Sequence, residues 1–194
     1  MMEERVYLSI LFRVSSLLLL SLTALAQNIT TTVSGMHNDI HIDQIGSGNF
    51  LMVSIQGDMN QLETTQENQQ NGPNFLNATI DGSSNQVDVL QENGSNMATI
   101  NIDGSGNDAD IVQRGDGSHI LNLELDGDDH VTSIIQEDDG NHSALVRLNN
   151  TGGPWNFNLV QSGSSNDMFN SDNATVNGNC YSSLGCNMTV YNND

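Results

Sequence analysis

Val87-Asp-Val-Leu-Gln91-Glu-Asn-Gly-Ser-Asn96-Met-Ala-Thr-Ile100-Asn-Ile-Asp-Gly104-Ser-Gly-Asn107 decides the fold. Its apolar residues fall at alternate positions, Val87 and Val89, then Ala98, Ile100 and Ile102. The residues between them, such as Asp88 and Asn101, are mostly polar. Period two is the mark of a strand with one buried face. Between the two runs lies Glu92-Asn-Gly-Ser, and Asp103-Gly-Ser-Gly follows the second, both rich in residues that accept positive φ. The stretch therefore reads as strand, turn, strand, turn, closing after about 22 residues.

The same unit recurs along the chain. Gln stands at 44, 66, 91, 113, 136 and 161, at spacings of 22, 25, 22, 23 and 25. Gly57, Gly82, Gly104 and Gly127 are each followed three residues later by Asn60, Asn85, Asn107 or His130, and six residues after that comes the next Gln. One apolar set leads into Gln44, Gln66, Gln91, Gln113, Gln136 and Gln161, as in Ile40-x-Ile42-x-Gln44 and Phe157-x-Leu159-x-Gln161. The other comprises Leu51, Val53, Ile55; Leu76, Ala78, Ile80; Ala98, Ile100, Ile102; Leu121, Leu123, Leu125; and Ala144, Val146, Leu148. One repeat cannot bury its apolar face alone, whereas stacked copies build a continuous core. The expectation is an all-β chain, a flat β-solenoid with two strands per rung and about six stacked repeats over 40–166. Residues 27–39 precede it as a short segment, and an irregular cap or tail follows over 167–194. At about 4.8 Å per rung, six rungs span roughly 29 Å.

Stacking places the six Gln side chains one above another. It does the same for Asn49, Asn74 and Asn96 at one arc and for Asn60, Asn85 and Asn107 at the other. Amide ladders of this kind stabilise cross-β packing and let buried polar groups satisfy one another. That resolves a conflict in the composition. The chain has 194 residues, a formal charge of −20, four Arg, no Lys and 36% hydrophobic residues, with 27 Asn among the 168 positions after residue 26. An apolar share below the usual 45–50% or so, joined to high net charge, ordinarily signals disorder; the phase of the repeat says otherwise. So acidic a chain is also unsuited to nucleic acid or anionic lipid, where Lys and Arg neutralise phosphates.

Residues 1–26 differ from the rest. Arg5 and Arg13 flank a first apolar stretch, Val14 to Leu25 is a Leu-rich run, and Thr23-Ala-Leu-Ala26 ends it in the small-residue pattern of a cleavage site. This is read as a secretory signal peptide removed after Ala26; the run is shorter than the ~20 residues of a membrane span, and no stable membrane insertion is expected.

The pattern Gln-x-Gly-x-x-Asn, present as Gln44-Gly46-Asn49 and Gln161-Gly163-Asn166, resembles the curlin repeat of bacterial curli subunits over about residues 36–170. What the resemblance implies is a structural subunit without cofactor or metal, exported through the periplasm to the cell surface. There it would polymerise with itself and other curli-like subunits into functional amyloid for adhesion and biofilm matrix, with the help of curli-type secretion and nucleation machinery. Curlin repeats carry a second Gln six residues after the Asn; here those slots hold Ile55, Ile80 and Ile102, with Leu125 in the equivalent place. The chain therefore has one Gln ladder and one aliphatic ladder. A monomeric β-solenoid surface adhesin, binding carbohydrate or depending on calcium, is the alternative reading.

Other candidate chemistry is sparse. Cys180 and Cys186 are the only cysteines. In an extended strand they would stand ~20 Å apart, so a disulfide requires the segment between them to turn back; intramolecular pairing, intermolecular pairing and free thiols all stay open. His119, His130 and His142 occupy slots that hold Asn in other rungs, which reads as imidazole replacing an amide, with a metal or pH-switch role as the alternative. His37 and His41 lie in a strand context, where their spacing carries no signal. The acidic arcs Asp126-Gly-Asp-Asp129 and Glu137-Asp-Asp-Gly140 offer oxygen ligands, yet without the Gly-Gly-x-Gly-x-Asp pattern of calcium β-rolls they read as solvated turns. Sequons such as Asn28, Asn93 and Asn187 follow from an Asn/Ser/Thr-rich composition. No nucleophile–base pair, phosphate loop or carboxylate pair stands out, so an enzyme is not expected.

Overall fold

The computed structural model describes residues 7–13, 28–68, 72–147, 155–164, 166, 168–170 and 186–193. Within them are fourteen strands and no helix: β1 (Tyr7–Arg13), β2 (Asn28–Val33), β3 (Asp39–Ile45), β4 (Phe50–Ile55), β5 (Gln61–Glu67), β6 (Phe75–Asn77), β7 (Gln86–Asn93), β8 (Met97–Ala98), β9 (Asp108–Gly115), β10 (Val131–Glu137), β11 (Ser143–Leu145), β12 (Trp155–Ser162), β13 (Met168–Asn170) and β14 (Cys186–Asn193). They stack as a β-solenoid of about six turns. The first sheet runs β1-β3-β5-β7-β9-β10-β12-β14, and the second runs β2-β4-β6-β8 and continues as β11-β13. Single bridges from Met97 to Ile120 and from Ile120 to Ser143 join the two parts of the second sheet.

The register is the one that the repeat predicts. In the first sheet Gln44, Gln66, Gln91, Gln113, Gln136 and Gln161 are successive partners in parallel pairs. The alternating burial of β3, buried at every second residue from Ile40 to Gln44, recurs in β5, β7, β9, β10 and β12. Between the sheets lies a single apolar core containing Ile42, Leu62, Val87, Ile111, Ile134 and Leu159 from one side and Leu51, Leu76, Ile100, Leu123 and Val146 from the other.

Four features depart from a regular two-strand rung. The second sheet is narrow: β6 and β11 have three residues, β8 has two, and the rung of β9 contributes only the bridge at Ile120. Asn101 and Glu124 have φ of 92° and 98°, which turns the backbone out of strand geometry just after the buried Ile100 and Leu123. The side chains still stack, and Ile55, Ile80, Ile102 and Leu125 are all buried. The solenoid also begins before residue 40, because β2 pairs with β4 from Asn28↔Phe50 to Val33↔Ile55, and Ile29 and Val33 pack on the core. Beyond residue 166, β14 lies parallel to β12 with Asn192 opposite Gln161. Finally, β1 runs antiparallel along β3, from Tyr7↔Ile45 to Arg13↔Asp39, while every other paired strand among the described residues is parallel. The proposed cleavage junction at Ala26, Pro154 and Cys180 lie outside the described residues.

Candidate functional site: the amide ladders and their arcs

The polar interior of the stack is three ladders. In the first sheet each Gln side chain donates to the next rung. Gln44 Nε2 meets Gln66 Oε1 at 2.6 Å, Gln66 reaches Gln91 at 2.8 Å, and the bonds Gln91→Gln113, Gln113→Gln136 and Gln136→Gln161 are each 2.9 Å. The second hydrogen of each amide crosses to the opposite strand: Gln66, Gln91, Gln113, Gln136 and Gln161 donate to the carbonyl oxygens of Phe50, Phe75, Met97, Ile120 and Ser143. A strand carrying Gln at this position thus fixes the separation of the two sheets as well as their register.

At the arc after the second sheet, Asn60, Asn85 and Asn107 are buried, and each backbone N–H donates to the side-chain oxygen of the preceding rung at 2.9 to 3.0 Å. The chain of acceptors starts at Asn38 and ends with His130, whose N–H donates to Asn107 Oδ1. Asn38 was not singled out in the sequence, although it stands three residues after Gly35 and six before Gln44 and so obeys the same spacing rule. Between the rungs of this arc the glycines touch: a Cβ on Gly104 would lie 1.7 Å from the carbonyl oxygen of Gly127. Only glycine lets the arcs stack at strand spacing.

At the other arc Asn49, Asn74 and Asn96 are buried, and the N–H groups of Asn74, Asn96 and His119 donate to the side-chain oxygens of Asn49, Asn74 and Asn96. Histidine enters both Asn ladders as an amide mimic. The N–H of His142 reaches His119 Nδ1 at 3.4 Å, and the N–H of Trp155 reaches His130 Nδ1 at 2.9 Å, so Nδ1 takes the place of an Asn oxygen. His119 and His142 bond the carbonyl oxygens of Arg114 and Glu137 through Nε2, where Asn96 donates to the carbonyl of Glu92. For His119, accepting at Nδ1 from the His142 N–H and donating at Nε2 requires the neutral imidazole with its proton on Nε2. The rings of His119 and His142 are stacked 5.1 Å apart and nearly parallel, and both side chains are buried. Burial accordingly holds His119 below the ordinary histidine value, partly offset by its bond to the Arg114 carbonyl. His130 is lowered by burial too, against Asp128 and Asp129.

The outer surface of the first sheet carries acids in register. Asp88 lies directly opposite Asp110, with Glu63 opposite Asp88 on the other side. Partial burial, with Asp88 beside them, pushes the carboxyls of Asp108 and Asp110 up. Like charges in adjacent strands are destabilising. Arg114 and Glu137 pair across the neighbouring rung at 3.0 Å and line a shallow acidic cleft of about 380 Å³ with Glu92, Asp116, Asp138 and Asp139. Among the described residues no group of three or more His, Cys, Asp or Glu side chains is arranged to hold a metal ion. Comparison with models of known protein families, with curated proteins and with solved structures finds no match.

Proposed function

We propose that the chain is an exported structural subunit whose copies add end to end, each continuing the previous solenoid as its next rungs. The observation that carries this reading is the polarity of the ladders. Every Gln amide donates in the same direction along the stack, from Gln44 toward Gln161, so the two ends are complementary rather than alike. The register also puts Asn192 of the last strand at the Gln position. Head-to-tail contacts between unlike ends do not close, and they generate open filaments. Terminal rungs offer unpaired strand edges to the next copy, as β-augmentation requires. In this reading the ladder residues act collectively: amides set the register, and Ile, Leu and Val fill the dry interior. Fibres of this kind suit an extracellular scaffold of the curli type, in adhesion or biofilm matrix.

The position of β1 adds a control on timing. Tyr7–Arg13 lies along the β3 edge in antiparallel sense, where an incoming copy would pair parallel. Removal of residues 1–26 after export clears that edge. The test compares residues 27–194 with the full chain in seeded thioflavin kinetics. The shorter chain should elongate from preformed fibres without a lag, while the full chain stays slow on the same seeds. A shorter chain that remains monomeric in the presence of seeds overturns the proposal.

A further inference from the structure

We propose that the outer face of the second sheet is a lateral docking surface for a second copy of this chain, pairing two solenoids back to back. The charges of the molecule are partitioned between its faces. Outward positions of the first sheet include Asp39, Asp43, Glu63, Asp88, Asp108 and Asp110. On the second sheet the outward column starts at Asn28 and runs on through Phe50, Phe75, Met97, Ile120 and Ser143 to Met168, one residue per rung, and the six from Phe50 onward form a stripe. Five of these six are apolar and none is charged. Phe50 and Phe75 stack with ring centroids 4.8 Å apart and planes within 1°, while Met97, Ile120 and Met168 are 44%, 46% and 77% exposed. Met52, 41% exposed, widens the stripe. Glu124 and Arg147, at the far margin of this face, pair with each other at 3.6 Å.

Three arguments make the occupant another copy. A molecule with a formal charge of −20 repels its like at most of its surface, so self-pairing needs a face that carries no net charge. The stripe advances by one side chain per rung, and an identical solenoid offers the same period, so ridges interlock along the whole stack as in a dry sheet–sheet interface ~10 Å thick. The area is also sufficient. Although the hydrogen-bonded strands are short, each rung of this face keeps about six stacked positions between its arcs, ~20 Å across, and six rungs of ~4.8 Å present at most roughly 600 Å² per copy, or ~1,200 Å² in all, which reaches the low end of stable interfaces. The contact is isologous and closes at two copies. It is therefore independent of end-to-end addition, and it can hold or fail separately.

Sedimentation of residues 27–194 at neutral pH and ~150 mM salt, where long-range repulsion is screened beyond ~8 Å, reads the pairing directly. The expected result is a concentration-dependent doubling of mass. In the double variant Met97→Lys/Ile120→Lys the dimer should weaken roughly 100-fold or more, since two central anchors are lost and like charges face each other. Far-UV CD and the urea midpoint should stay unchanged, because both side chains point outward; Met97→Ser/Ile120→Ser gives the same direction without added charge. Val112→Lys, on the outer face of the first sheet, should leave the dimer intact. A parent that sediments as one monomer to ~500 μM, or stripe variants that dimerise like the parent, overturns the inference. Dimerisation with no growth on seeds would instead sink end-to-end addition and leave this face standing.

Discussion

Replacing Gln113 by Leu tests the ladder at its centre. Gln113 is fully buried; its Oε1 accepts from Gln91 at 2.9 Å, and its Nε2 donates to Gln136 Oε1 and to the Met97 carbonyl, each at 2.9 Å. Leucine fills the same volume but cannot bond. The Met97 oxygen keeps the N–H of Leu121, and Gln91 keeps the carbonyl of Phe75. Two buried groups then lose their partner: Gln136 Oε1 and one N–H of the Gln91 amide. At about 1–3 kcal/mol each, less ~1 kcal/mol regained from apolar burial, the variant should lose about 3 kcal/mol. That corresponds to ~6–12 °C in Tm for a chain of this size. Gln61→Leu, at an exposed position of β5, is the control and should stay within ~0.5 kcal/mol. Urea denaturation followed by far-UV CD gives both midpoints. If Gln113→Leu is as stable as the parent, or if Gln61→Leu costs as much, the ladder does not hold the rungs in the way argued.

Three further outcomes follow from the arcs and the acidic face. Because His119 and His130 are held below the ordinary value near 6.5, the unfolded chain takes up protons first, and stability should fall as pH drops below ~6.5. His119→Asn/His130→Asn keeps an acceptor in each slot without titrating, so the variant should lose much of that acid sensitivity in pH-resolved melts; an unchanged profile would count against the burial of neutral imidazoles. Gly104→Ala should cost more than ~2 kcal/mol or prevent folding, since its Cβ would lie 1.7 Å from the Gly127 oxygen; a neutral melt would mean that the arcs are looser than described. Asp88→Asn removes the charge facing Asp110 and should raise stability by ~0.2–1 kcal/mol at pH 7. With Asp108 and Asp110 raised, the folded state binds the extra protons, so this gain should shrink as the pH nears the carboxylate range, and an equal gain at pH 4 and pH 7 would refute the assignment.

The Gln ladder, the Asn arcs and the aliphatic ladder were legible in the sequence because each depends on phase alone. A residue that recurs every 22–25 positions in a parallel stack has nowhere to go but above its predecessor. Features that depend on which backbone atom faces a side chain were not legible. The spacing puts His119 in an amide slot, but only the N–H of His142 in the following rung shows that its Nδ1 must accept. Positive φ at Asn101 and Glu124 narrows the second sheet, and the alternation of Ala98, Ile100 and Ile102 carries no trace of it. The leading half-rung was missed for a different reason. Ile29, Thr31 and Val33 alternate, but with no Gln ahead of them the repeat reads as starting at Ile40. Outward residues such as Phe75 and Met97 carry meaning only once the acids are known to lie on the other sheet.

Oriented fibres grown from residues 27–194 test the central claim most directly. Stacking of whole subunits as successive rungs predicts X-ray reflections at 4.7–4.8 Å along the fibre axis and ~10 Å across it, with no break in strand spacing at subunit boundaries in cryo-EM maps. A chain that stays a monomer with the same β-type CD spectrum, or fibres whose strands lie parallel to the axis, would contradict it.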